Sequence, residues 1–572
     1  MPHTLAMSRE HRAESLARMA EETFDVLIVG GGVVGAGCAV DAATRGLSVA
    51  LVEQRDYASG TSSRSSKLIH GGLRYLEQYN FALVHEALQE RALLLRTLCP
   101  HLVKPVPFLF PLRRRAWERA YVGAGVLLYD LLGVIGGARA VPLHRHLSKR
   151  RALQIAPDLR ADAFVGAVQY YDAQVDDARH TMMVARTAAG YGAALATSAR
   201  AVDMVRDDHQ RVVGATVHDL EADRTFTVNA RHVITATGVW TDEVNKMLSG
   251  QTKLEVRPSK GIHIVVPRDR IRLDSGMITK TEKSVLFVIP WQNHWIIGTT
   301  DTDYTLDRAH PAASAEDIRY VLDHANEWLA NPLTFDDIVG VYAGLRPLIA
   351  EHPSQSTAEL SREHSVLQPV DGLTIVAGGK YTTYRVMAKD AVDAAARQLD
   401  PTVPESVTRD VRIVGADGYE ALKNSRRTLS RRSGLDVAVI DHLLDRYGAL
   451  VQDLFDLVRE RPELAEPVPG AEPYIKAEVV YAVQSEGALH LEDVLVRRTR
   501  ISFETPDRGV AAAEAVVGLI GDELGWDDAA RDHELTTYRA RVDAEVAAHR
   551  EATEASASEV RQRAPEIRTG AA

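Results

Sequence analysis

Phe24-Asp-Val-Leu-Ile-Val-Gly-Gly-Gly-Val-Val-Gly35 is an apolar run that breaks on a glycine turn and resumes as a periodic apolar stretch reaching Arg45. The run suits a buried parallel strand, and the stretch after the glycines suits a helix. Gly30 and Gly31 open the tight turn, Gly32 lets the main chain approach a diphosphate, and Gly35 lets helix and strand pack closely. The first helical amides are then aimed at phosphate. Gly46 ends the helix, and a second apolar strand over residues 47–52 delivers Glu53, an acid placed to accept from ribose hydroxyls. A glycine fingerprint alone is weak. Strand, turn, helix, second strand and terminal acid in register predict a dinucleotide-binding α/β unit.

Bulk properties narrow the rest. At 572 residues the chain exceeds one ordinary core, and at roughly 150 residues per domain it divides into two to four lobes. A hydrophobic share of 45% with 25% charged residues fits a globular protein. A net charge of -11 argues against bulk nucleic-acid binding. Two cysteines, Cys38 and Cys99, give no disulfide framework and suit a reducing compartment. Residues 1–22 mix Arg and Glu without the apolar core of a secretory signal, so a cytoplasmic location is expected. Residues 120–138 (AYVGAGVLLYDLLGVIGGA) approach the length of a membrane span but carry Asp130 in mid-stretch, which favours a buried or interfacial segment. Arg113, Arg114, Arg115 and Arg119 precede it, and Arg139, Arg145, Lys149, Arg150 and Arg151 follow. That pattern suits peripheral docking on an anionic lipid surface, or a charged face on a core helix.

Three later segments bear on which dinucleotide is bound. His232-Val-Ile-Thr-Ala-Thr-Gly238 and Leu373-Thr-Ile-Val-Ala-Gly-Gly-Lys380 are apolar strands ending in small-residue turns. They place Ala236, Gly238, Gly379 and Lys380 where strands return beside the first. A helical pattern then begins at Thr382, and a helix start can stabilise the negative charge of a reduced flavin, which nicotinamide does not need. Thr61-Ser-Ser-Arg-Ser-Ser-Lys-Leu-Ile-His-Gly-Gly-Leu-Arg-Tyr-Leu76 is the most telling. The hydroxyls of Thr61, Ser62 and Ser66 and the backbone at Gly72 can line an isoalloxazine and pyrophosphate. Lys67, His70, Arg74 and Tyr75 offer charge and proton transfer. A solvated serine-rich loop explains the hydroxyls but not His-Gly-Gly-Leu-Arg-Tyr behind a phosphate turn.

These segments, with Val175-Asp-Asp-Ala-Arg179, Lys260-Gly-Ile-His-Ile-Val-Val-Pro267, Val288-Ile-Pro-Trp291, Ile297-Gly-Thr-Thr-Asp301, Gly344-Leu-Arg-Pro347 and Gly378-Gly-Lys-Tyr-Thr-Thr-Tyr-Arg385, resemble the respiratory FAD-dependent glycerol-3-phosphate dehydrogenases over most of the chain. The resemblance implies FAD as cofactor and an α/β fold: a glutathione-reductase-like, Rossmann-type FAD domain, an inserted α+β mixed-sheet substrate domain and an all-helical C-terminal cap. The expected division is a 1–22 extension, FAD-domain segments 23–100, 166–250 and 341–403, substrate-domain segments 101–165 and 251–340, a helical domain 404–550, and a polar, frayed tail 551–572. The resemblance also implies an adenine contact through the main chain of Ala201, a membrane quinone as acceptor, and a homodimer. The oxidase branch, which forms peroxide, and amino or hydroxy acid oxidases of the same fold are the alternatives.

The residues agree with that substrate class. A phosphomonoester such as sn-glycerol 3-phosphate calls for converging cations, with Arg favoured for forked hydrogen bonds. Arg74, Arg346 and Lys380, with Tyr75, fill that role by resemblance. Oxidising a secondary alcohol also needs a base for the hydroxyl proton, and His70 and His263 both stand in motifs. Arg346 can stabilise developing alkoxide. The Val496-Arg-Arg-Thr-Arg500 run is expected at the surface. Asp301-Thr-Asp-Tyr-Thr begins like a calcium loop, but Leu306 stands where glycine is required, so no metal is expected.

Overall fold

The computed structural model describes residues 6–114, 116–135, 140–247, 255–282, 285–349 and 363–568, without the side chains of Arg74 and Asn245. Arg115, Arg139 and the end of the tail therefore lie outside the described residues.

Thr23–Val29 forms the middle of the first sheet. It runs parallel to Val49–Val52 on one side and to Arg224–Thr235 on the other. Ala194–Ala196 extends one flank and Leu373–Gly378 the other, both in parallel, with His364–Leu367 antiparallel at the edge. The central strand is apolar without alternation because both of its faces are covered. Val26 and Ile28 pack into a cluster with Ala36, Ala39 and Ala388 of the helices Val33–Thr44 and Tyr384–Leu399. Leu27 and Val29 pack on Val212, Ala215 and Val217, from a meander of strands Ala199–Arg206, Val212–Asp219 and Arg224–Thr235. The N-terminal segment is part of this layer: helix Arg9–Glu21 buries Leu16 and Met19, and Arg12 pairs with Asp219 at 2.7 Å.

The second sheet is mixed. Val256–Pro267 pairs with His294–Gly298, Thr302–Asp303 and Gly340–Ile349. Lys104–Leu112 pairs with Gly166–Gln174 antiparallel and with Gly276–Lys280 in parallel. Two expected boundaries are corrected here. Gly166–Gln174, assigned by sequence to the FAD domain, is paired along its whole length with Lys104–Leu112 in the substrate sheet. Gly340–Ile349, assigned to the FAD domain from residue 341 on, makes a ten-residue ladder with Val256–Pro267. Each strand hands the chain from one sheet to the other, and only its hydrogen-bonding partner reveals where it belongs.

Helices from Tyr419–Asn424 to Asp528–Ala548 form the C-terminal domain. Its docking overturns the expectation that residues 496–500 lie at the surface. Arg497, Arg498 and Arg500 are buried, and Asp56 receives Arg497 at 2.5 Å and both terminal nitrogens of Arg498 at 2.7 Å. Arg500 pairs with Asp176 at 2.6 Å and with Asp177. Buried guanidinium groups require such pairing, since an unpaired charge in the interior is very costly. The expected frayed tail is likewise corrected. Helix Glu554–Gln562 buries Ala557, Glu554 pairs with buried Lys260 at 2.6 Å, and Arg568 reaches Asp493 and Ser198, each at 2.7 Å.

The apolar segment is helix Trp117–Val134. Among the described residues no helix is long and apolar enough to cross a membrane. Asp130 is turned inward and paired with His144 at 2.7 Å, leaving Trp117, Tyr121, Leu127, Leu131, Val134 and Ile135 exposed.

Asp177 joins three parts of the fold, taking Lys67 and Arg500 on one oxygen and the amide and hydroxyl of Ser65 on the other. Asp177→Asn is expected to lose about 3–5 kcal/mol of stability, the usual cost of breaking a buried pair. It is also expected to release flavin at lower denaturant than the parent, read by chemical denaturation followed by protein and flavin fluorescence.

Candidate active site

A cavity of about 320 Å³ runs along the carboxyl edge of the first sheet and ends on the second. Its first wall is the glycine turn. Gly30 has φ +114°, and a Cβ there would stand 2.6 Å from the Ala236 carbonyl oxygen. A Cβ at Gly35 would collide with the Gly30 carbonyl, so this close helix–strand contact admits glycine alone. Gly32 caps the helix without a side-chain hydrogen bond, and the Val33 amide is met by the Ser62 hydroxyl at 3.0 Å. Glu53 accepts from the Gly31 amide at 2.7 Å and the Arg55 amide at 2.8 Å, and burial raises its pKa. Ala201, Met204, Val244 and Met247 enclose the end beyond Glu53.

The opposite end carries the cations and histidines. Thr61 donates to the Leu345 carbonyl at 2.6 Å, tying the serine-rich turn to the strand that holds Arg346. Arg346 donates to Thr299 at 3.1 Å, to the Thr300 carbonyl at 3.2 Å and to Ser259 at 3.3 Å, and faces Asp301 at 3.5 Å. His263 is stacked on Tyr342 with ring centres 4.8 Å apart, and its Nε2 shares a hydrogen bond of 2.8 Å with the Ser66 hydroxyl. Burial first, then the charges of Arg346 and Lys67, hold its pKa well below the ordinary imidazole range, so the ring is neutral. The His70 amide donates to the Thr382 hydroxyl at 3.1 Å, and the His70 ring lies edge-on to Phe287. Lys380 lies 3.8 Å above the centre of the Tyr75 ring and donates to the Gly71 carbonyl at 3.4 Å.

The predicted residues that line this cavity are Gly30, Gly32, Glu53, Thr61, Ser62, Ser66, His70, Tyr75, Ala201, Ala236, Gly238, His263, Arg346, Gly379, Lys380 and Thr382. Four others stand behind it. Gly31 and Gly35 shape the turn. Gly72, at φ +80°, has the Tyr75 ring lying where its Cβ would be, so it seats that ring instead of lining the cavity. Lys67, expected at the cofactor, is fully buried against Asp177 at 2.9 Å, the Ser63 carbonyl at 3.0 Å and the Tyr342 ring; burial lowers its pKa to about 8. The Arg74 side chain lies outside the described residues. Sequence reasoning missed Arg64, Trp240 and the Thr299–Asp301 support of Arg346, although Arg64 and Thr299 stand inside motifs that were quoted.

The lining fits an extended dinucleotide. The glycine turn and the helix start behind it border the cavity where a diphosphate would lie, an acid follows the second strand, an apolar end suits adenine, and a second helix, Tyr384–Leu399, starts near the other end.

Comparison with known proteins agrees. The family described as FAD dependent oxidoreductase matches residues 25–385, and the C-terminal domain of alpha-glycerophosphate oxidase matches residues 406–531. The chain is 54% identical to a glycerol-3-phosphate dehydrogenase of Mycobacterium leprae, covering 99% of this chain and 96% of that one. It is 38% identical to the human mitochondrial glycerol-3-phosphate dehydrogenase, covering 93% of this chain and 74% of that one. The structure of the Bacillus halodurans glycerol-3-phosphate dehydrogenase complexed with FAD superposes with a TM-score of 0.77 at 29% identity, over 94% of this chain and 98% of that one. The binding turn, the cavity and these matches together make the chain a flavoprotein of the FAD-dependent glycerol-3-phosphate dehydrogenase family.

Proposed function

We propose that this enzyme oxidises sn-glycerol 3-phosphate to dihydroxyacetone phosphate, with His263 as the base, and passes the electrons to a membrane quinone. The observation that carries the site assignment is that buried His263, bonded to Ser66, and the held guanidinium of Arg346 both line one end of the dinucleotide cavity. Bound FAD supplies the two-electron acceptor. Arg346 and Lys380 draw in the phosphomonoester, Tyr75 supports Lys380 from below, and the motif position of Arg74 makes it a third cation for the same group. Neutral His263 takes the alcohol proton at Nε2, relayed or positioned by Ser66, while Arg346 stabilises the oxygen as negative charge develops. His70, tied through its backbone to Thr382, shapes the cofactor side of the site.

Anaerobic addition of glycerol 3-phosphate is expected to bleach the flavin bands, whereas 2-hydroxy acids leave them unchanged; the reverse would indicate an acid oxidase. In the same titration His263→Gln should slow bleaching by about 10²–10⁴-fold, the usual worth of a positioned base. A larger loss in His70→Gln would transfer the role to that histidine. The pH profile follows from the lowered pKa of His263. The base stays unprotonated as pH falls through the ordinary imidazole value of about 6.5, so kcat, which is free of the substrate phosphate's own titration in that region, should show no acid limb there. A clear inflection at that pH argues for an ordinary exposed base.

The exposed face of Trp117–Val134 supports peripheral attachment to an anionic membrane. With Asp130 paired inward, the face is apolar and bordered by exposed Arg113, Arg114, Lys149, Arg150 and Arg151, a combination suited to lying in the lipid interface. Leu127→Glu with Leu131→Glu is expected to abolish sedimentation with phosphatidylglycerol vesicles and to cut reduction of vesicle-borne quinone while sparing a soluble dye acceptor. Stoichiometric peroxide in air with no quinone reduction would favour the oxidase reading.

A further inference from the structure

A second cavity of about 120 Å³ lies where the turn at Ser63 and Arg64, the loop around His310, the cap and the two last helices meet. Arg64, Arg500, Arg508, Arg541 and Arg561 line it together with His310 and His549, against Glu492 and Glu545, and Arg500 is balanced by Asp176 and Asp177. Beyond the lining, Glu566 pairs with His310 and is shared with Arg55 and Arg541, each at 3.9 Å. Arg541 is paired with Glu492, but Arg64, Arg508 and Arg561 make no ion pair with any described carboxylate. Arg64 donates to the Ala309 carbonyl at 3.1 Å and Arg508 to the Val339 carbonyl at 2.5 Å. The Nε of Arg508, in a side chain only 6% exposed, has no hydrogen-bond partner.

We propose that this cavity is an anion site separate from the substrate site, built for a phosphate-type dianion, either inorganic or carried as a small phosphomonoester. Three lining guanidinium groups without an ion pair, Arg64, Arg508 and Arg561, stand against one lining carboxylate without one among the described residues, Glu545, which matches the charge of such a dianion, and converging guanidinium groups provide forked donors to its oxygens. Burial, followed by mutual repulsion with Arg561, lowers the pKa of Arg64 to about 10 and that of Arg541 to about 9, as expected for a cluster short of negative charge. Glu492 and Glu545 leave the balance positive without filling it. Arg64 also lines the dinucleotide cavity, and its carbonyl packs on Gly344, two residues from Arg346. An anion held here therefore braces the wall of the cofactor site from outside.

The test is amide hydrogen exchange of the FAD-loaded enzyme with inorganic phosphate, with glycerol 2-phosphate, and with chloride at equal ionic strength. Both phosphate probes should slow exchange over residues 538–561 beyond chloride, and the probe acting at lower concentration identifies the source. The half-saturating concentration should rise about tenfold in Arg561→Gln, the loss of one charge-assisted contact, and stay unchanged in Arg346→Gln. Equal protection by chloride, no protection of the parent enzyme, or protection lost in Arg346→Gln but kept in Arg561→Gln would each overturn the assignment.

Discussion

The architecture depends on two adjacent carboxylates at the end of Gly166–Gln174. Asp176 caps the helix Asp177–Gly190 through the Arg179 amide and faces Arg446 and Arg500 of the cap, while Asp177 holds Ser65, Lys67 and Arg500. The pair therefore ties the substrate sheet, the serine-rich turn beside the cofactor and the helical domain at one buried point. Removing any one partner would leave a buried charge uncompensated, which is costly in such surroundings. The Arg500 and Arg446 guanidiniums hold the Asp176 carboxyl below the usual carboxylate range against its burial.

This arrangement explains why the flavin-facing turn is built from short polar residues. Ser62, Ser65 and Ser66 each give a hydroxyl to a different partner: the Val33 amide, Asp177 and His263. The turn is thereby joined to the diphosphate end, the buried carboxylates and the proposed base. Preorganisation of this kind holds a reactive group in place without relying on loop rigidity. Arg346 is fixed in the same way, by Ser259 from the neighbouring strand and by Thr299 and Thr300 from the turn that follows His294–Gly298.

The cap and tail complete the site from the outside. Arg497 and Arg498 close on Asp56, three residues beyond Glu53, and Arg568 follows onto Ser198 and Asp493. The segment beyond residue 531, past the matched C-terminal domain family, is packed onto all three other parts. Its helices enclose the cationic cavity beside Arg64 and turn a set of arginines inward that would ordinarily remain in water.

The sequence by itself determined the cofactor unit, because its signals are local: a strand, a turn requiring glycine at φ +114°, a helix and an acid, all within residues 23–53. It also named His70, His263, Arg346 and Lys380, since each stands in a motif. Tertiary structure alone decided that Lys67 is a buried counter-ion, that Gly72 seats Tyr75, that Gly166–Gln174 and Gly340–Ile349 belong to the second sheet, and that the arginines of 497–500 and the tail are interior. The physical reason is range. Strand pairing and ion pairing join residues more than a hundred positions apart, as Asp56 joins Arg497 and Lys67 joins Asp177, and no local pattern distinguishes an arginine with a buried partner from one left in solvent.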